Sequence, residues 1–207
     1  MASWYERTIL PKLLGCACGS SPIMRQRAKV VPRAEGRVLE LGIGMGLNLA
    51  YYDPAKVSAV VGVDPAAALR AAALAAPRDE RLTVQVEDGD AEALPFEAAS
   101  FDTVVCTFTL CSVCTPAAAL AEARRVLKPA GRFLFCEHGL APDPGVARWQ
   151  RRIEPLWKRI AGGCHLTRPV GSAIEAAGFS LTDRETMYVP KTPKIAAWNE
   201  WGSATVR

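Results

Sequence analysis

Short apolar runs alternate with longer stretches of helical periodicity along this chain. Residues 37–41, 57–63, 82–87, 103–108 and 132–137 are brief and rich in large or β-branched apolar side chains, the pattern of strands covered on both faces. Between them, 47–52, 65–76 and 116–127 predict helices. The last two open on proline, whose fixed φ and missing N–H suit a first helical turn. Lys128, Pro129 and Gly131 predict a helix stop. After the fifth strand, 146–160 and 169–177 predict helices, the second ending at Gly178, and 179–189 predicts a strand. Residues 195–201 predict a last, antiparallel strand after a turn at 190–193, and 4–31 predicts two helices split at 15–22. Such alternation is that of an α/β fold: a parallel sheet with helices on both faces.

Composition bounds the partners. The chain has 207 residues, half of them apolar and 22% charged, which suits one soluble domain with a substantial core. A formal charge of +4 is too small to argue for nucleic acid, and none is expected as a partner. No run reaches the roughly 20 apolar residues of a membrane span. Seven cysteines is an odd number, and residues 1–14 carry Glu6, Arg7 and Lys12 without an apolar signal core, so reduced thiols in a cytoplasmic setting are expected. Cys111 and Cys114 form a C-x-x-C, but no second pair at zinc-like spacing follows, so no metal is predicted. Residues 148–168 hold Arg148, Arg151, Arg152, Lys158, Arg159 and Arg168 against Glu154, while Trp149, Ile153, Leu156, Trp157 and Ile160 recur at helical spacing. A basic amphipathic helix of this kind either roofs a sheet or pocket, or makes peripheral contact with a membrane surface.

Candidate chemistry begins at residues 38–46, VLELGIGMG, where a buried strand runs into a turn whose alternate glycines bring bare backbone against a ligand or a packed helix. Asp64 closes the next strand about 20 residues on, where a carboxylate accepts hydrogen bonds from the two hydroxyls of a ribose. The spacing G-x-G-x-G at Gly42, Gly44 and Gly46, with Glu40 two residues ahead, departs from the G-x-G-x-x-G that seats a pyrophosphate on a helix N-terminus. A nucleoside without pyrophosphate fits better.

Glu40, Gly42, Gly44 and Gly46 match [DE]-x-G-x-G-x-G, and here the chain resembles the class I S-adenosylmethionine-dependent methyltransferases. GDAEALPF at 89–96 and SFDTVV at 100–105 continue the resemblance. It implies a Rossmann-like fold with a mostly parallel seven-stranded sheet and an antiparallel last strand. It also implies S-adenosyl-L-methionine as cofactor and S-adenosyl-L-homocysteine as product, with Asp64 on the ribose and Asp90 accepting from the adenine amine. Asn48, Pro65, Ala91 and Thr107 belong to the same implied cofactor set. Read without the resemblance, Asp90 caps a turn before Leu94.

A narrower resemblance lies in 104–113 (VVCTFTLCSV), 124–133 (RRVLKPAGRF), the pair Glu137 and His138, and 149–168 (WQRRIEPLWKRIAGGCHLTR). These are similar to the small thiol methyltransferases related to the mammalian microsomal alkyl thiol enzymes. The implied acceptor is a small thiol or hydrosulfide. His138 is the first candidate for a general base because it ends a strand at the ligand edge and titrates near neutrality. His165 is the second, and Arg168 is a candidate for favouring a thiolate. Tyr5, Cys111, His138, Cys164 and Arg168 form the expected acceptor contacts, with packing or capping as the alternative for each. Residues 1–32 are expected to form a helical lid, with Tyr5 and Arg25 or Arg27 reaching the pocket, and 145–178 a helical cover, within a single domain of 1–207. The apolar N-terminal anchor of the mammalian members has no counterpart in 1–32. Two other functions share these residues: methylation of oxygen, nitrogen or carbon on a quinone or lipid head group, and cofactor sensing without catalysis.

Overall fold

The computed structural model describes residue 15 and residues 17–207. Its strands are β1 (Gly36–Leu41), β2 (Val57–Val63), β3 (Val84–Glu87), β4 (Phe101–Thr107), β5 (Leu127–His138), β6 (Phe179–Tyr188) and β7 (Trp198–Val206). Among the described residues they form one seven-stranded sheet in the order β3-β2-β1-β4-β5-β7-β6. Strands β1 to β5 run parallel, and β7 inserts antiparallel between β5 and β6. The chain leaves β1 toward β2 on one side and returns to β4 on the other. That reversal opens a crevice at the carboxyl ends of β1 and β4, where ligands of open α/β sheets bind.

Alternation along the strands makes two cores. Val104, Phe133 and Phe135 face one side with Leu120 and Val126 of α3 (Pro116–Val126) and Ile174 of α5 (Val170–Ala176). Val105, Leu134 and Cys136 face the other, with Val30 of α1 (Ser21–Val30) and Ala73 of α2 (Ala67–Leu74). Successive residues of β4 and β5 therefore bury opposite faces, as the strand period requires. All six of these strand residues are fully buried.

Three differences from the sequence-based expectation bear on the fold. The helix at 116–127 ends at Val126, and Leu127 already pairs with Phe101 as the first residue of β5. Gly131 is thus no helix stop. It sits at a bulge where a Cβ would lie 3.0 Å from the Asp102 carbonyl, so close backbone approach explains it. The last strand starts at Trp198, three residues later than expected, because Lys194–Ala197 makes a short helix, α6, after the turn. Residues 47–52 form only a 3₁₀ turn, Leu49–Tyr51.

Helix α4 (Pro144–Ile160) carries the segment with basic and apolar residues. Ala147 and Gln150 are buried, whereas Trp149, Leu156 and Ile160, which share one helix face with Ile153 at i, i+4, i+7, i+11 spacing, are 58%, 64% and 49% exposed. Gln150 fixes the inner face: its Oε1 accepts from Ala141 N, and its Nε2 donates to the carbonyls of Gly139 and Ile195. Among the described residues no helix is long and apolar enough to cross a membrane.

Candidate active site

The β1 turn frames one wall of a cavity of about 460 Å³. Gly42, Gly44 and Gly46 all have positive φ, and each serves a different contact. A Cβ at Gly42 would lie 2.6 Å from the Thr109 side chain, so that glycine admits the β4 loop. At Gly46 it would lie 2.8 Å from Ala76 Cβ, so that one lets the segment after α2 pack closely. At Gly44, which lines the cavity beside Gly42, the nearest atom would be 3.8 Å away, so its bare backbone leaves open space there. Asp64 holds the turn: its Oδ2 accepts from Gly44 N at 3.1 Å and its Oδ1 from Ala66 N at 2.8 Å. Burial raises its pKa against those hydrogen bonds.

Beneath the turn lies a buried polar network. Tyr52 donates to Glu40 Oε2 at 2.7 Å, and Asn48 Nδ2 donates to Glu40 Oε1 at 2.8 Å and to Thr107 Oγ1 at 2.9 Å. Arg27, brought in by α1, donates to Asn48 Oδ1 at 2.9 Å and to Thr107 Oγ1 at 2.6 Å. Its buried Nε has no partner among the described residues, and its guanidinium lies 4.9 Å from the Phe108 ring centroid. Burial pushes the Glu40 carboxyl up to about 7 despite the hydrogen bond from Tyr52. For an acid raised on folding, the stabilisation belongs to the protonated form. It is complete below the ordinary value of 4.5 and is lost as pH rises toward 7. Thermal melting is therefore expected to show a loss of at most about 3 kcal/mol across that window. In E40Q the loss should shrink, because the amide oxygen still accepts from Asn48 and the Tyr52 hydroxyl turns to accept from the amide nitrogen. An unchanged pH dependence in E40Q would assign the loss to other groups.

The opposite end of the cavity is built from three distant segments. His138 ends β5, Cys111 lies in the loop after β4, and Cys164 follows α4. His138 Nε2 is 3.1 Å from Cys164 Sγ, and the Trp157 indole donates to the same sulfur at 3.4 Å. Contact with Cys111 and burial hold the Cys164 thiol well above its ordinary range, so it is protonated at neutral pH. Phe108, at φ 54°, stacks near the His138 ring at a centroid distance of 6.5 Å. The Cys111 loop is anchored from beneath by Glu137, whose fully buried carboxylate accepts from Thr109 N at 2.7 Å and Leu110 N at 3.0 Å. From the other side His165 N donates to the Cys111 carbonyl at 2.8 Å, and Arg168 forks onto the carbonyls of Leu110 and Val113. Glu154 in turn shapes 164–168 by accepting from the backbone of Leu166 and Thr167.

Of the residues singled out in the sequence, Gly42, Gly44, Asp64, Pro65, Asp90 and Ala91 line the cavity on the turn side. Thr107, Cys111, His138 and Cys164 line the rest. Glu40 and Asn48 lie under the turn rather than on the lining, and Gly46 faces the α2 side. His165 points its Nδ1 at Glu154, 3.2 Å away, and Arg168 is spent on backbone carbonyls, so neither lines the cavity. Asp90 does cap its turn, accepting from Glu92 N at 2.9 Å, while also facing the cavity. Arg27 reaches the cavity, whereas the exposed Arg25 bonds Ser21 on its own helix. Tyr5 and the first helix of the expected lid lie outside the described residues. Sequence reasoning left Phe108, Glu137, Gln150 and Glu154 without roles, although the last two stand inside the 149–168 motif that carries the narrower resemblance.

Residues 39–135 match the model of a methyltransferase domain. Thiol S-methyltransferase TMT1B of Rattus norvegicus is 40% identical over 156 residues, covering 73% of this chain and 63% of that protein. Thiol S-methyltransferase TMT1A of Homo sapiens is 31% identical over 187 residues, covering 84% of this chain and 72% of the human protein. The chain belongs to the thiol S-methyltransferase family. Its match spans less than two thirds of the rat member's length. The fold of the family domain extends to solved structures: a Haloferax volcanii putative methyltransferase, in complex with the Trm112 activator, superposes with a TM-score of 0.72 at 18% identity, covering 98% of this chain and 96% of that one.

Proposed function

We propose that this protein transfers a methyl group from S-adenosyl-L-methionine to the sulfur of a small thiol or hydrosulfide. The observation that carries the reading is one cavity shared by both halves of the site, with a nucleoside-type cradle at Gly44, Asp64 and Asp90 at one end and Cys111, His138 and Cys164 at the other. The donor end fits the cofactor on three counts: an open glycine, a ribose-type carboxylate already held rigid by Gly44 and Ala66, and a partly unpartnered arginine, Arg27, for a carboxylate. When bound, S-adenosylmethionine supplies an electrophilic methyl on a sulfonium.

The protein's own contribution is placement and a proton acceptor. The cavity holds the acceptor sulfur against the donor end, where near-attack positioning supplies much of the acceleration. His138 Nε2, at the cavity surface, takes the thiol proton. Residues 145–178 act as a cover, since the segment that follows α4 supplies Gly162 and Cys164 to the lining. Labelled S-adenosylmethionine offered with hydrosulfide, alkyl thiols, phenols and amines tests the reading. Thiols are expected to be methylated fastest, and a faster phenol, quinol or amine would overturn the sulfur assignment. In H138A, kcat with an alkyl thiol is expected to fall on the order of 100-fold. The loss should shrink for more acidic thiols that arrive already ionised, and an equal loss across the acidity series would remove His138 as the base.

A further inference from the structure

A ring nitrogen of His138 and the Sγ atoms of Cys111 and Cys164 lie within 4.8 Å of one another, with His138 Nε2 3.1 Å from Cys164 Sγ. Two sulfurs and an imidazole nitrogen on one point form the donor set of a zinc-type ion. Bonds of about 2.3 Å at tetrahedral angles put two such sulfurs about 3.8 Å apart, so closure asks for a movement on the order of 1 Å. The backbone that carries His138 is held in β5, that of Cys111 by the carbonyl clamp from His165 N and Arg168, and the Cys164 sulfur by the Trp157 indole. An N–H donated to sulfur is also the outer contact that steadies a ligating thiolate. All three residues line the cavity. Three protein ligands with a fourth position open to a pocket is the pattern of a catalytic rather than a structural zinc site.

We propose that Cys111, His138 and Cys164 bind one zinc-type ion whose open position takes the acceptor sulfur as a thiolate. The role given to the acceptor rests on the methyl-transfer reading; the ion site itself does not. As the ion binds, both cysteines release their protons to solvent and His138 ligates as the neutral imidazole, so two thiolates balance the divalent charge. The acceptor thiol loses its proton to solvent as its sulfur enters the open position. A lone pair of that sulfur then forms the bond to the methyl carbon while the methyl–sulfonium bond breaks, leaving its electron pair on the donor's sulfur. The product is a neutral thioether, a weaker ligand than a thiolate, and it leaves. In the loaded protein the ion thus replaces His138 as the source of thiol acidity.

Cobalt(II) added to chelator-treated protein is the probe. One equivalent is expected to produce near-ultraviolet sulfur-to-cobalt absorption and the intense visible bands of a four-coordinate site, both erased by zinc and shifted by a small thiol. C111S and C164S should each weaken cobalt binding at least tenfold, while C114S, at the exposed neighbour, leaves it unchanged. C111A and C164A repeat the measurement if circular dichroism shows either serine variant unfolded. Absence of these bands in folded protein, or their survival in folded C164S or C164A, overturns the ion site. Bands that ignore added thiol overturn the role of the open position. Calorimetry of S-adenosylmethionine binding and label transfer on the same samples report the methyltransferase reading separately. Cobalt bands in protein that methylates no thiol support the ion site and overturn the acceptor.

Discussion

Asp64→Ala is expected to raise the Kd for S-adenosylmethionine at least 30-fold, measured by calorimetry on folded protein. The carboxylate is 7% exposed, and its two oxygens hold Gly44 N and Ala66 N, so one side chain sets both the glycine turn and the entry to α2. Alanine leaves two backbone donors without their partner, about 1–3 kcal/mol each where water cannot replace it, and also removes the acceptor for a ribose. Asn distinguishes the two losses. Its single carbonyl oxygen accepts from one backbone N–H while its amide nitrogen opposes the other, so D64N should fall between wild type and D64A. Burial raises the Asp64 pKa, and the ionised form is the better acceptor, so affinity should begin to fall at a higher pH on acidification than for an ordinary aspartate. A D64A Kd within threefold of wild type would remove the residue from the cofactor site.

The place of Asp64 on the cavity was legible in the sequence because it follows from spacing along two consecutive βα units. The strands β1, β2 and β4, the glycine turn and Asp90 were legible for the same reason. Local pattern places each at a strand end, and a parallel sheet aligns those ends. Individual jobs within the turn were not. The G-x-G-x-G spacing treats its glycines alike, yet Gly42 and Gly46 make room for Thr109 and Ala76, while Gly44 lines the cavity with no side chain crowding its Cβ position. Glu40 matches a cofactor motif in the sequence and braces Asn48 and Tyr52 in the structure. At the other end of the cavity proximity in sequence was no guide. Cys111 and Cys114 are three apart, but Cys114 is exposed, its backbone bound by Glu92, while Cys111 meets two residues that are themselves 26 positions apart. Pairings of that length depend on how α4 and the following loop dock on β5, which no local periodicity encodes.

That docking puts the other large effect on Arg168. Its guanidinium donates to the carbonyls of Leu110 and Val113, on either side of Cys111, while its own carbonyl accepts from Leu140 N just after β5. One residue therefore joins the Cys111 loop, the Cys164 segment and the strand end that bears His138. Hydrogen bonds from a charged donor contribute about 1.5–3 kcal/mol each, and R168M keeps the aliphatic stem while leaving both carbonyls bare. Destabilisation of about 2–4 kcal/mol is expected, a fall in Tm of roughly 5–15 °C for a domain of this size. Turnover should drop more than stability alone accounts for. At a temperature where the variant is fully folded, kcat with a thiol is expected to fall at least tenfold while the cofactor Kd stays within twofold, because Gly44, Asp64 and Asp90 are set by other contacts. R168K, with a point charge that cannot reach both carbonyls in a fork, should recover only part of the loss. If Arg168 instead acts by its charge on the acceptor thiolate, R168K should restore most of kcat and leave Tm low, and that split is the measurement that decides between the two roles.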